Sequence, residues 1–293
     1  MSVEIHPFYE PETGTWSYLL ADPATSVAAV IDPVWEFDIV SGLARTELAD
    51  AMLQRAAERK WLIRWVLETH AHADHLSCAS YIREKTGAET GIGRGICAVQ
   101  KTFKKIFNLV GESVDGSQFD RLLDEGDTLA LGNIEIRVLE TPGHTNDSVT
   151  YLVEDAAFIG DTLFAPAQGT ARCDFPGGDA SDLYDSIQKL YALPEQTRLY
   201  LCHFYPEEDQ KPECLVPLFE SRRRNIHVDS NTPRDQFVET RTTRDATLAL
   251  PKLIYPSLQV NIRAGRPPAA DTNDVPYLRI PFGHTIQNIL EKS

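Results

Sequence analysis

Long apolar runs are missing from this chain of 293 residues, and so is any excess of positive charge. No stretch approaches the roughly 20 apolar residues that a membrane-spanning helix needs, so no membrane partner is expected. Lys and Arg number 28 against 43 Asp and Glu, a formal net charge of −15. Nucleic acid and anionic membrane surfaces both require a positive footprint, so neither is expected as a partner. An anionic substrate would need its own local basic anchor. Cysteine is scarce too: Cys78, Cys97, Cys173, Cys202 and Cys214, an odd number without regular spacing. That pattern argues against a disulfide framework and for a reducing, cytoplasmic setting. The opening MSVEIHPFYE lacks the basic-then-apolar pattern of a secretory signal, which gives the same expectation. No Gly-x-Ser-x-Gly elbow is present, which removes a serine hydrolase. Gly91-x-Gly93-x-Gly95 has the wrong spacing for a dinucleotide loop.

What is present is an ordinary globular composition with one dense exception. Hydrophobic residues make up 42% and charged residues 24%, enough for a sizeable core. Only eight histidines occur, yet three of them fall within ETHAHADHLS, residues 68–77, together with an aspartate: His70, His72, Asp74 and His75. Imidazole and carboxylate together suit zinc, iron or manganese better than calcium or magnesium. His70 and His72 are two apart, so an extended segment points them the same way. A surface or capping role is the alternative for such residues, and the wider pattern weighs against it.

That pattern is one of strand ends. Residues 15–20, 26–32 and 61–69 read as strands, and a helical stripe runs over 46–60. A helix is expected over 73–86, stopped by Gly87. Residues 133–140, 149–153, 156–160 and 198–202 read as further strands, with a helix over 179–193. His70, His144, Asp161 and His203 each follow an apolar β-run, so they can converge on one rim of a layered α/β fold. Beyond residue 210, helices are expected over 211–225, 233–249 and 257–263, with a proline-rich connection over 265–276. The expected organisation is a catalytic part over 1–210 and a mostly helical C-terminal extension over 211–293, packed on it. The apolar character of that extension also suits a homodimer.

His70-x-His72-x-Asp74-His75, followed in order by His144, Asp161 and His203, resembles the metallo-β-lactamase superfamily. The resemblance covers about residues 1–210 and implies an αββα sandwich with a metal site on one edge. TPGHT, FIGDTLF, LYLCHFY and above all GTARCDFPGGDASDLYDSI are similar to the persulfide dioxygenase branch, related to the ethylmalonic encephalopathy protein. That branch oxidises glutathione persulfide with O2 to sulfite and glutathione. It implies one Fe(2+) held by His70, His144 and Asp161. His72, Asp74, His75 and His203 would then orient the ligands, or would hold a second ion (two zinc, or mixed iron and zinc) as in glyoxalase II-type thioester hydrolases. A 2-His-1-carboxylate set leaves the opposite face of the iron open, with room for a persulfide sulfur and O2. Zinc has no accessible redox state for such an oxidation. A third reading is a thiol-metabolite binding protein without catalysis.

Two features depart from the branch pattern: Phe204 stands where an acidic residue is usual, and Asn146-Asp147 where small residues or proline are. For the carboxylates of glutathione the candidate anchor is Arg172, with a salt bridge to Asp174 as its alternative role. Tyr205 is a candidate ligand contact. Arg222-Arg223-Arg224 reads as a solvated helix face or a further basic anchor, and Cys173 as a packing cysteine or a persulfide acceptor.

Overall fold

A computed structural model describes residues 2–291. In chain order the first part holds β1 (Glu4–Glu10), β2 (Thr15–Asp22), β3 (Val27–Ile31), β4 (Val34–Asp38), β5 (Leu43–Arg45), α1 (Glu47–Arg59), β6 (Leu62–Leu67), β7 (Leu76–Ser77), α2 (Ala79–Thr86), β8 (Glu89–Gly93), α3 (Ile96–Ile106) and β9 (Arg121–Leu123). The second part holds β10 (Thr128–Leu131), β11 (Ile134–Glu140), β12 (Val149–Val153), β13 (Ala156–Phe158), α4 (Ala180–Tyr191), β14 (Arg198–Tyr200), β15 (Leu215–Pro217), α5 (Leu218–Arg224), α6 (Arg234–Asp245), α7 (Ile254–Asn261) and α8 (Ile286–Leu290).

Two six-stranded sheets form the body, in the orders β1-β2-β3-β6-β8-β9 and β10-β11-β12-β13-β14-β15. Strand β2 shows why they stack. All eight of its residues are buried. Tyr18 and Leu20 enter a core shared with Val138, Tyr151 and Phe158 of the second sheet. Leu19 and Ala21 face the other way, onto Met52 of α1 and Ile82 of α2. A strand covered on both faces belongs to the inside of a layered sandwich. The Trp65 indole crosses the layers and donates to the Ala130 carbonyl at 2.9 Å.

Direction places the site. β13 and β14 pair in parallel, and β12 runs antiparallel to both β11 and β13. The C-terminal ends of β11, β13 and β14 therefore share one edge, where His144, Asp161 and His203 follow. Helix α4 buries Leu183, Ile187 and Leu190, as its apolar stripe predicts, and Asp179 caps it by accepting from Ser181 and Asp182 N–H.

Two expected helices are shorter than their patterns. Residues 73–78 are not helical. Leu76–Ser77 pair with Val34–Trp35 of β4, and α2 starts only at Ala79. Their backbone groups have long-range partners that a helix would take away. Residues 211–217 are not helical either: Pro212 interrupts them, and Leu215–Pro217 pair with β14 as the sixth strand of the second sheet. The C-terminal extension thus begins inside the sheet. Its remainder holds the four helices α5 to α8 joined by long irregular stretches, with α7 against β7 and α6 against α4. The region 89–118, which the sequence reading left unassigned, supplies β8 and the amphipathic α3.

Candidate metal centre

All seven sequence-predicted donors meet at the shared edge. His70, His72, His75 and His203 are buried to 1% exposure or less, and His144 and Asp161 lie in the floor of a cleft. Donor atoms of His70, His144 and Asp161 all lie within 4.8 Å of one another. Asp161 Oδ2 is 4.0 Å from His70 Nε2 and 3.7 Å from His144 Nε2. The other oxygen of Asp161 faces His203 Nε2 at 3.5 Å, and His203 Nε2 is 3.2 Å from Asp74.

The far side of each ring fixes which nitrogen is free. His144 Nδ1 meets the Arg172 carbonyl at 2.6 Å. A carbonyl only accepts, so Nδ1 carries the proton and Nε2 presents a lone pair to the cluster. Thr69 Oγ1 donates to Asp32 and lies 3.0 Å from His70 Nδ1. Its hydrogen is committed, so His70 Nδ1 donates and His70 Nε2 is again the free base. For His203 the relay is longer. Thr13 donates to Glu10, so Thr15 donates to Thr13 at 2.7 Å and accepts from His203 Nδ1 at 3.4 Å. His72 is turned the other way: Nε2 meets Asp32 at 3.1 Å and Glu68 at 3.6 Å, which leaves Nδ1 as its free nitrogen.

Burial, reinforced by the neighbouring imidazoles, holds His70 and His75 well below the usual histidine range, so both are neutral near pH 7. Metal ligands must be unprotonated, and these are. Burial alone would lower His72 too. The Asp32 charge and hydrogen bond, with Glu68, outweigh it and raise His72 to about 9, so near pH 7 its Nδ1, unpartnered among the described residues, carries a proton that a bound ion would have to displace. Glu68, buried and close to Asp32, is pushed up to about 8. Free, buried nitrogens remain on His70, His72, His75 and His203, and one Asp161 oxygen also lacks a hydrogen-bond partner. Uncompensated buried polar atoms are costly, and two neighbouring groups of them, around His70–His144–Asp161 and around His72–His75–His203, fit metal binding.

The remaining candidates are placed as follows. The Arg172 guanidinium forks onto Asp174 at 2.6 and 2.7 Å, donates to the Ala249 carbonyl, and lies 4.8 Å over the Phe175 ring. These contacts favour its salt-bridge role, although it still lines the cleft. Tyr205 is half-exposed in the cleft wall and stacks on His203. Arg222 and Arg224 pair with Glu195 and Glu220. Cys173 is buried, and burial raises its thiol, as a packing residue requires. Phe204 is in the core, and Asp147 accepts from Ala71 N–H at 2.8 Å. That bond ties Asp147 to the histidine loop. The cleft above has a volume of about 1530 Å³ and is walled by Phe164, Phe175, Tyr205, Arg244 and Lys252, among others.

Sequence reasoning missed Asp32, Glu68 and Cys202. Asp32 follows directly on β3, so the strand-end rule that found His70 applies to it. Cys202 lies with His72, His75 and His203 in a second group of donors within 4.8 Å of one another. No sequence signal marked Glu68.

The model of the metallo-beta-lactamase superfamily matches residues 11–203, which include every one of these donors. The chain belongs to this superfamily. A probable metallo-hydrolase of Burkholderia pseudomallei is 49% identical over 290 residues, covering 95% of this chain and 98% of the relative. Glyoxylase B2 of Dictyostelium discoideum is 41% identical, covering 97% of this chain and 98% of the relative. The mitochondrial persulfide dioxygenase ETHE1 of Mus musculus is 28% identical over 267 residues, covering 90% of this chain and 89% of the relative. Among solved structures, ETHE1 from Myxococcus xanthus superposes with a TM-score of 0.72 at 31% identity, over 90% of this chain and 100% of that one. This superfamily member therefore has relatives named both as hydrolases and as a dioxygenase.

Proposed function

We propose that the chain is an iron-dependent persulfide dioxygenase that converts glutathione persulfide and O2 to sulfite and glutathione. The observation that carries the reading is a contact. The Gly169–Phe175 segment, in which the resemblance to the dioxygenase branch is concentrated, holds His144 directly. The Arg172 carbonyl fixes the His144 tautomer, and the Phe175 ring meets the His144 ring edge-on at 5.7 Å. The likeness to ETHE1 from Myxococcus xanthus, along that whole chain, supports the same reading.

On this reading His70, His144 and Asp161 hold Fe(II), all within the 1–210 part. Bound there, iron would supply the redox chemistry between O2 and the persulfide sulfur that zinc lacks. The protein's own contributions are positional. Arg172 and Thr69 keep both Nε2 atoms unprotonated and aimed. Ala73, Phe164, Ala165 and Phe175 give the cleft an apolar part of its lining alongside His144 and Asp161. Arg244 and Lys252, exposed on the cleft wall beside Arg172, are cations that an anionic thiol such as glutathione would meet there.

The test is oxygen uptake by Fe(II)-reconstituted protein given glutathione persulfide, with sulfite assayed at the end. Uptake matched by sulfite is expected; iron-loaded protein that consumes no oxygen would sink the proposal. A second reading has its own observation. Asp161 reaches His70 and His144 through one oxygen and His203 through the other, as a bridging carboxylate between two ions would. That arrangement fits a thioester hydrolase of the hydroxyacylglutathione type. Zinc-loaded protein that cleaves a glutathione thioester without O2 would establish it.

A further inference from the structure

The loop that carries His72, Asp74 and His75 is gripped from far along the chain. Asn261, at the end of α7, is buried against it. Its Nδ2 donates to the His72 carbonyl at 2.7 Å and to the His75 carbonyl at 2.8 Å. Its Oδ1 accepts from Ser77 N–H at 2.8 Å. Two carbonyls demand two donors and the Ser77 amide demands an acceptor, so the orientation of the side-chain amide is fully determined. Aspartate at 261 would turn both donors into a repelling carboxylate, and leucine would leave three buried backbone groups unpaired.

The grip falls where the centre has no other handle. His70, His72, His144 and His203 each have one ring nitrogen held by Thr69, Asp32, Arg172 or Thr15. Among the described residues, neither ring nitrogen of His75 has a hydrogen-bond partner. Ring orientation is normally set by a hydrogen bond on the far nitrogen. For His75 the backbone must do that work, and Asn261 bonds to the His75 carbonyl itself. We infer that Asn261 is the positioning residue for His75, acting through the main chain from outside the residues 11–203 that match the superfamily model. The inference rests on His75 serving a second metal position with His72, Cys202 and His203, and is independent of the ion held by His70, His144 and Asp161.

The experiment measures zinc affinity of metal-stripped, full-length protein by chelator competition, and the absorption spectrum of the cobalt-loaded form. Zinc in excess is expected to fill both donor groups; Asn261→Asp should weaken one of the two zinc equivalents by about 10- to 100-fold, the range for loss of a partner that orients a metal ligand, leave the other unchanged, and change the cobalt spectrum. Gln259→Leu is the control. It lies on the same helix and is equally buried, but its amide bonds only to Tyr255 and Arg279. It should lower thermal stability and leave zinc affinity and the cobalt spectrum unchanged. A folded Asn261→Asp protein with wild-type zinc affinity overturns the inference. So does equal weakening by Gln259→Leu, which would make the effect one of general stability. If Asn261→Asp does not fold cooperatively, Asn261→Ser is read in the same way. Wild-type protein that binds fewer than two zinc ions removes the position His75 would serve, and the inference with it.

Discussion

The His70–His144–Asp161 side of the cluster and the His75–Asp74–His203 side are supported by different means. On the first side, each imidazole is backed by a single direct hydrogen bond: to the adjacent Thr69 for His70, and to the Arg172 carbonyl, 28 residues on, for His144. On the second, support is remote. His203 leans on a chain of hydroxyls ending at Glu10, and His75 has only its backbone. Donors backed directly are preorganised for an ion, and donors backed remotely are more easily displaced. The difference follows the two donor groups, His70–His144–Asp161 and His72–His75–Cys202–His203.

Asp161→Asn and His144→Ala should break the first side outright, with iron content and oxygen uptake both at background. His75→Ala should retain iron if one ion suffices; elemental analysis showing equal iron loss from His75→Ala and His144→Ala would contradict a one-ion site. Gly143→Ala comes next. Gly143 has φ +132°, and a Cβ there would meet the Leu183 backbone N at 2.2 Å. A loss of about 3 kcal/mol in chemical denaturation is expected, with His144 displaced. Arg172→Met separates two roles. With the salt bridge as its role, the melting temperature falls and KM holds; a raised KM at unchanged stability would instead mark Arg172 as a substrate anchor.

The smallest effect lies away from the metal. His227 accepts from Thr170 N–H at 2.9 Å, and burial, with Arg241 and Arg244, lowers its pKa to about 4. The unfolded chain, with an ordinary histidine near 6.5, binds the proton more readily between those values. Stability should therefore fall as pH drops from about 6.5 towards 4, and His227→Gln should flatten that slope in pH-resolved denaturation. An unchanged slope would remove His227 as its source.

Much of the centre was legible because its chemistry is local. ETHAHADHLS packs four donors into one loop, and a strand ending in His or Asp is visible as an apolar run followed by a polar residue. A layered α/β fold followed from those strands, and the αββα sandwich from the resemblance to the superfamily. Where the reading failed, the partner was distant. The helix expected over 73–86 ignored the pairing of Leu76–Ser77 with β4 and the bonds to Asn261, and local periodicity carries no trace of either. The helix expected over 211–225 missed β15 for the same reason, since three residues joining a sheet edge leave almost no pattern.

The sequence by itself determined the donor types, their order and the superfamily, because side-chain chemistry and short spacing are written along the chain. Only the tertiary structure decided which nitrogen of each histidine is free, that Arg172 is already engaged, and that a C-terminal asparagine holds the metal loop. Those are matters of which groups face each other across 28 residues, from His144 to Arg172, or 186, from His75 to Asn261. Hydrogen-bond direction is fixed by such encounters, and they exist only once the sheets have stacked and α7 has packed against β7.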